Sequence, residues 1–210
     1  MEHSEKSVVS MSEDEKKRDA ELIERFKSGE ASAFDQLVRL YASKAYQIAY
    51  GLLSDRLDAE EVVQDSFLKA HKNLEKFRGD SSFATWFYRI ITNLSRNRYH
   101  WNRRRGAGVN ISMSNGENDD VNDKSEMQVA DKKLNPSVLL QRMEKESALT
   151  YAVRSLPENL REVIILRHTE EMSYAEMAKM LGCELGTVKS RLARAREALK
   201  KIFNDGEVAK

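Results

Sequence analysis

Apolar residues recur at steps of three and four positions along nearly the whole chain. One such run comprises Phe34, Leu37, Val38, Tyr41, Ala45, Ile48, Ala49 and Leu52. This spacing places the side chains on one face of an α-helix. No stretch shows the convincing alternation of apolar and polar residues that marks a strand. The pattern therefore predicts an all-α fold.

Helix-start and helix-stop residues divide this pattern into segments. The predicted helices cover residues 13–28, 34–52, 58 to about 74, 83 onward, 136–155, 157–169, 173–182 and 187 onward. Asp58 with Glu61, and Ser173 with Glu176, have the spacing of capping boxes, in which two side chains satisfy free amides of a first turn. Gly182 supplies the left-handed conformation that often ends a helix.

The periodicity disappears between residues 106 and 135, where Gly, Asn, Ser and Asp dominate. Such a segment buries too little apolar area to offset the entropy of ordering it. We therefore predict a flexible linker over 106–135. It joins two small helical domains, 13–105 and 136–204, with a disordered N-terminus at 1–12 and a tail at 205–210.

Composition excludes several classes of protein. The chain has 210 residues, and its single Cys183 rules out an internal disulfide. The four His residues are scattered, and neither a zinc-binding His pair nor a phosphate-cradling glycine loop is present. We predict no catalytic residue, no metal site and no cofactor. No apolar run approaches the roughly 18 residues of a membrane helix, and no signal-peptide pattern occurs, so we expect a cytoplasmic protein without direct membrane insertion.

Charge is segregated although the formal net charge is only +1. Residues 54–65 hold five acids and one Arg, and residues 81–116 hold six Arg and no acid. Residues 187–201 hold six basic residues and one acid. This layout indicates two anion-binding surfaces on separate modules.

Residues 173–201 have the plan of a helix-turn-helix, in which the second helix enters the major groove of DNA. A short capped helix is followed by a turn containing glycine and then by a basic amphipathic helix. The residues outside the apolar stripe near the start of the second helix are Thr187, Lys189, Ser190, Arg191 and Arg194. The alternative is an ordinary solvated basic face.

Residues 81–105 combine the six arginines with Trp86, Phe87, Tyr88, Tyr99 and Trp101. Cations hold a phosphate backbone and rings stack on unpaired bases, so this mixture suits opening DNA. Some side chains of this segment must pack in the core, since Trp86, Phe87, Ile90 and Leu94 share helical spacing. The acidic residues 54–65 favour either a docking surface for a basic protein or a solvated helix start.

Four segments in this order resemble the extracytoplasmic-function (ECF) group of bacterial sigma factors. They are DAEEVVQDSFLKAH (58–71), FRGDSSFATWFYRIITN (77–93), LPENLREV (156–163) and GTVKSRLARAREAL (186–199). The resemblance implies a noncatalytic transcription initiation factor. Its domain at 13–105 would correspond to sigma region 2, which binds core RNA polymerase and opens the minus-ten promoter element. Its domain at 136–204 would correspond to region 4, which reads the minus-thirty-five element.

The resemblance also implies roles for individual residues. Those expected to dock on polymerase are Asp58, Glu61, Gln64, Asp65, Phe67 and Leu68. Those expected at the minus-ten element are Asn73, Phe77, Trp86, Arg89, Ile90, Asn93, Arg96 and Arg98, with Asn93 at a pocket for a flipped base. Those expected at the minus-thirty-five element are Thr187, Lys189, Ser190, Arg191, Arg194 and Arg196.

The implied partners are core polymerase, double-stranded and melted promoter DNA, and an anti-sigma factor that controls a stress-responsive or envelope-responsive factor. Two alternatives remain: a DNA-binding regulator that acts without polymerase, and a decoy that sequesters a partner through its acidic helix. The sigma-factor hypothesis fails if Asn93 and Arg194 are buried within a single continuous core and cannot face a nucleic acid together.

Overall fold

The computed structural model describes residues 13–107, 148–170 and 172–207. The helices are α1 (Glu13–Lys27), α2 (Ser32–Leu53), α3 (Arg56–Asn73), a 3₁₀ turn (Leu74–Lys76), α4 (Phe83–Ala107), α5 (residues 148–155), α6 (Glu158–Glu170), α7 (Tyr174–Leu181) and α8 (Leu185–Glu207). Strands are absent from these three ranges, and the all-α prediction is confirmed. The predicted disordered N-terminus and the start of the helix predicted from 136 lie outside the described residues, as does the linker beyond Ala107.

The start of α3 differs from the prediction. Asp55 caps the helix, because its carboxylate accepts a hydrogen bond from the backbone amide of Asp58 at 2.9 Å. The capping box predicted at Asp58 is therefore wrong. The Asp58 carboxylate instead accepts hydrogen bonds from Arg98 and Asn102 on α4, so an interhelical contact competes successfully with the local cap.

The start of α7 agrees with the prediction. The Ser173 hydroxyl accepts a hydrogen bond from the Glu176 amide at 3.2 Å, and the Glu176 carboxylate accepts one from the Ser173 amide at 2.9 Å. Gly182 ends the helix in the left-handed conformation at φ +63°. These two local devices fix the length of α7 and the turn that leads into α8.

Replacing Ser173 with Ala is expected to lower the free energy of unfolding by about 1 kcal/mol, because the Glu176 amide loses its acceptor. Urea denaturation followed by circular dichroism measures this change. Ser190→Ala is a matched control at an interior helical position, where the loss should be smaller. Equal losses for the two variants would contradict a capping role for Ser173.

Helix α2 is central to the molecule and packs against α1, α3, α4 and α6. Its residues Leu37, Ala45 and Ile48 are fully buried. On α4, Phe87 and Ile91 are buried against it, whereas Trp86, Ile90 and Leu94 are only partly covered. The Tyr41 hydroxyl donates to the buried Asp19 carboxylate, and burial raises the pKa of Tyr41. Helix α8 packs on both α6 and α7, and α7 also packs on α4. The buried side chains of α6, α7 and α8 continue the same apolar cluster.

Candidate nucleic-acid interface

The basic surface of α8 lies in the N-terminal half of the helix, next to the turn that joins α7 and α8. Lys189, Arg194 and Arg196 are exposed. Val188, Leu192 and Ala195 are buried on the opposite side. The apolar stripe therefore anchors α8 on α6 and α7 and leaves guanidinium and ammonium groups free to approach a groove of DNA.

The three remaining predicted residues of α8 are half-buried. The Ser190 hydroxyl donates to the Thr187 carbonyl at 3.0 Å, so its oxygen is left as an acceptor. Arg191 lines a cleft of about 440 Å³ between α4 and α6, with Arg96 and Glu158 among the other lining residues. Arg191 thus faces α4 as well as solvent.

The predicted minus-ten residues of α4 begin with a partly covered aromatic pair. Phe77 precedes the helix, and its ring centroid lies 5.1 Å from that of Trp86. Ile90 is half-buried, and Asn93 is exposed. Trp86, Ile90 and Asn93 follow at steps of four and three, which places them on one face of the helix. The face is apolar at its start and offers an amide at its end.

Asn73 lies at the end of α3, where its side-chain amide donates to the Lys69 carbonyl at 2.7 Å. Its side-chain oxygen therefore stays available as an acceptor at an exposed position. Arg89 is exposed and makes no ion pair with the acids of the described ranges. Its guanidinium is therefore available to bind a DNA phosphate.

Arg96 and Arg98 are held by carboxylates. Arg96 donates through Nε and Nη2 to Glu162 Oε1 of α6, at 3.0 and 2.7 Å. Arg98 forms ion pairs with Asp58, at 3.2 Å, and with Glu61. The hydrogen bond to Glu61 is the main cause that raises the pKa of Arg98. DNA phosphates would have to replace these acids before either arginine could contact DNA.

The predicted docking helix α3 has an outward stripe and an inward face. Leu57, Glu61, Gln64 and Leu68 recur at steps of four, three and four, and all are exposed. Leu57 is 76% exposed and Leu68 is 59% exposed, so two large apolar side chains stay uncovered on one face of the helix. Large apolar residues form the buried centre of a protein interface, with polar groups around them.

The other predicted docking residues differ in exposure. Asp65 is exposed, and the side chain of Asp58 is 18% exposed because it faces Arg98. The ring of Phe67 packs against Phe87, with centroids 4.6 Å apart, so this residue belongs to the core and contributes only its uncovered edge to the surface.

Several residues of these surfaces were not predicted. Leu57 has the same helical spacing as Leu68, and that periodicity was the signal that could have found it. Glu158 and Glu162 carry no such signal, because they contact Arg96 of α4, which lies 62 and 66 positions before them. Trp101 was predicted only as one of the aromatic residues of 81–105. Its exposed ring lies between the guanidiniums of Arg98 and Arg105, at 5.5 and 4.4 Å from the ring centre.

The described residues also bear on metal binding and membrane insertion. Within the three described ranges, no group of three or more His, Cys, Asp or Glu could hold a metal ion. Of the helices in those ranges, none is both long and apolar enough to cross a membrane. Cys183 is a half-buried free thiol in the turn before α8.

The fold and these surfaces define an all-helical protein with a helix-turn-helix at α7 and α8 and an arginine-rich helix, α4, that begins beside a partly covered aromatic pair. Residues 37–105 match the family Sigma-70 region 2, and residues 146–199 match the family Sigma-70, region 4. The ECF RNA polymerase sigma-E factor of Haemophilus influenzae is 36% identical over 182 residues, which make up 87% of this chain and 93% of that protein. The chain therefore belongs to the ECF sigma factors.

Two solved structures have the same fold. CnrH in complex with the cytosolic domain of CnrY has a TM-score of 0.64 and 27% identity, covering 90% of this chain and 98% of CnrH. The sigma factor RpoE in complex with the anti-sigma factor NepR from Bartonella quintana has a TM-score of 0.58 and 27% identity, covering 81% of this chain and 96% of RpoE.

Proposed function

We propose that this chain binds core RNA polymerase through the outward stripe of α3, opens the minus-ten element with α4 and reads the minus-thirty-five element with α8. The observation that carries this function is that one chain exposes three surfaces. They follow one another along the sequence in the order of sigma regions 2 and 4. These are the apolar and acidic stripe around Leu57 and Leu68, the Asn93 face and the basic side of α8.

At the minus-ten element, Asn93 is proposed to hydrogen-bond a flipped base that rests against the apolar surface of Ile90, Trp86 and Phe77. Recovering a few kcal/mol of lost stacking in this way lowers the cost of strand opening. Asn73 supplies a further polar group, and Arg89 is proposed to bind the adjacent phosphate. Arg96 and Arg98 join this surface when their acidic partners release them.

At the minus-thirty-five element, Lys189, Ser190 and Arg194 are proposed to reach base edges, with Thr187 beside them at the helix start. A guanidinium can donate two hydrogen bonds to guanine, whereas an ammonium binds as a point charge. Arg191 and Arg196 are proposed to bind the phosphate backbone, which positions α8 without reading sequence.

An anti-sigma factor is proposed as the regulator of this chain. The support is the likeness to RpoE, whose structure was solved with the anti-sigma factor NepR. Such a partner would hold a stress-responsive factor inactive until a signal removes it. Copurification with an affinity-tagged chain, followed by mass spectrometry, would identify it as a small protein present in stoichiometric amount.

In vitro transcription tests the proposed function. The purified chain is mixed with core polymerase and a library of genomic fragments, and the 5′ ends of the transcripts are sequenced. We expect start sites that share two elements at fixed spacing, absent when core polymerase is used alone. A chain that binds DNA specifically but never associates with core polymerase would instead be a stand-alone regulator. A chain that binds polymerase but initiates nowhere would instead be a decoy that sequesters its partner.

A further inference from the structure

The end of α1 packs against the segment that leads from α3 into α4. Helix α1 contacts the 3₁₀ turn Leu74–Lys76, and the ring centroid of Phe26 lies 5.1 Å from that of His71 at the end of α3. Leu74, the first residue of the turn, is fully buried. Lys27, the last residue of α1, therefore extends from a backbone that is fixed next to this turn.

Both backbone groups of Phe77 are held by hydrogen bonds. Its amide donates to the Leu74 carbonyl at 3.0 Å, and its carbonyl accepts from the Lys27 ammonium at 3.2 Å. The same ammonium lies 3.1 Å from Glu24 Oε1, one turn earlier on α1, and the Lys27 side chain is only 30% exposed. A hydrogen bond from a charged donor is stronger than one between neutral groups. Lys27 thus joins α1 to the backbone of Phe77.

The chain turns into solvent directly after Phe77. Residues 78–80 are exposed, and Gly79 has the left-handed conformation at φ +79°. Within the described ranges, the next hydrogen bond from another helix is the one that Lys179 of α7 donates to the Asp80 carbonyl, beyond this glycine. Lys27 is therefore the contact that fixes the backbone on the Phe77 side of the turn.

The ring of Phe77 lies beside the start of α4. Its centroid is 5.1 Å from that of Trp86 and 6.4 Å from that of Phe83. Phe83 is 2% exposed and belongs to the core, whereas Phe77 and Trp86 are half-buried. The rotamers open to a side chain depend on its backbone. A shift of the Phe77 backbone would therefore move the ring away from Trp86.

We propose that Lys27 is a positioning residue for strand opening. Its ammonium holds the Phe77 carbonyl, and the Phe77 ring is thereby kept against Trp86 as one wall of the pocket for the flipped base. Stacking on that base requires the ring to be in place before the base arrives. Lys27 acts through Phe77 and need not touch DNA. This inference rests on the proposed function in one respect, namely that Phe77 lines the pocket.

Quenching of Trp86 fluorescence by acrylamide tests the positioning in the free chain. A Trp101→Phe background leaves Trp86 as the single tryptophan. Lys27→Met removes the ammonium and keeps most of the apolar stem, so its quenching constant should rise toward that of Phe77→Ala. Lys27→Arg keeps a charged donor and should restore the parent value. Lys17→Met, at an exposed position about 15 Å earlier on α1, should leave the quenching constant unchanged.

Binding of single-stranded DNA by the holoenzyme tests the consequence for the flipped base. Two probes carry the minus-ten sequence found in the initiation assay, one intact and one abasic at the position where base removal weakens parent binding most. We expect Lys27→Met to lower the ratio of the two affinities roughly fivefold, a part of what a whole stacking contact contributes. The affinity for the abasic probe and the salt dependence should stay the same, and Lys27→Arg should restore the ratio.

Three results would overturn the proposal. An unchanged quenching constant in Lys27→Met would remove the positioning role, whatever the chain does with polymerase. Equal weakening of both probes, with a salt slope reduced by about 1, would make Lys27 a direct phosphate contact instead. A changed quenching constant with an unchanged affinity ratio would separate Lys27 from base capture. Failure of the proposed function is a different result, a parent chain that forms no holoenzyme able to distinguish the two probes.

Discussion

Replacing Leu68 with Asp is expected to weaken binding to core polymerase by about 100-fold, the largest effect that we predict for a single exposed side chain. Leu68 is 59% exposed in the free chain and shares its stripe with Leu57, Glu61 and Gln64. Interfaces concentrate their energy in a few apolar or aromatic anchors that become fully desolvated, and losing one costs 2 kcal/mol or more. An aspartate in the same place adds the cost of burying a charge.

The measurement is a titration of labelled chain with core polymerase, supported by transcription from a promoter identified in the initiation assay. Leu40→Asp is a matched control, because Leu40 is also an exposed leucine, 39% accessible, but lies on α2. It should bind polymerase as the parent chain does. Both variants should keep the helical circular dichroism signal, since neither leucine is buried. Normal binding by Leu68→Asp together with Leu57→Asp would remove polymerase docking from α3.

The acids of the same stripe present a different case. Glu61 and Asp58 engage Arg98 within the chain, so their charges are partly neutralised before any partner arrives. Changing Leu68 removes contact area without disturbing that pairing. For this reason the leucine gives a cleaner test of docking than a charge reversal, which would also break the contact between α3 and α4.

Local features of the sequence were sufficient to predict the helices and the helix-turn-helix. The apolar spacing of α2 needs no distant partner to be recognised, and Ser173, Glu176 and Gly182 act within a few residues of one another. Each of these caps satisfies free backbone amides or carbonyls at the end of its own helix. The all-α fold and the plan of α7 and α8 follow from such short-range rules.

Contacts between helices distant in sequence were not predictable in this way. Arg96 and Glu162 are 66 residues apart, and the Leu52 carbonyl and Arg161 are 109 apart. The positions of these residues in the sequence do not indicate which residue each one contacts. The same limitation explains Asp58, whose interhelical contacts with Arg98 and Asn102 displaced the predicted local cap. Asn93 and Arg194 nevertheless lie on the surface, as the sigma-factor hypothesis requires.

Replacing Arg194 with Ala is expected to reduce discrimination at one base pair of the minus-thirty-five element by about 1 to 3 kcal/mol. Arg194 is exposed on the side of α8 opposite the buried Leu192 and Ala195. Its guanidinium can form two hydrogen bonds to a guanine edge, and alanine can form none. Transcription by the reconstituted holoenzyme from promoters carrying each base at each position of the element measures the change.

Two further variants on α8 separate base reading from phosphate binding. Arg196→Ala should weaken all promoter sequences by similar factors and reduce the salt dependence of binding, because a phosphate contact carries no sequence information. Lys200→Ala, near the other end of the exposed basic surface, should change neither base preference nor affinity by more than a small factor. If Arg194→Ala also weakens all promoter sequences by similar factors, the Arg194 guanidinium binds the phosphate backbone. Sequence reading then rests on Lys189 and Ser190, whose side chains offer an ammonium donor and a hydroxyl acceptor instead of a planar two-pronged donor.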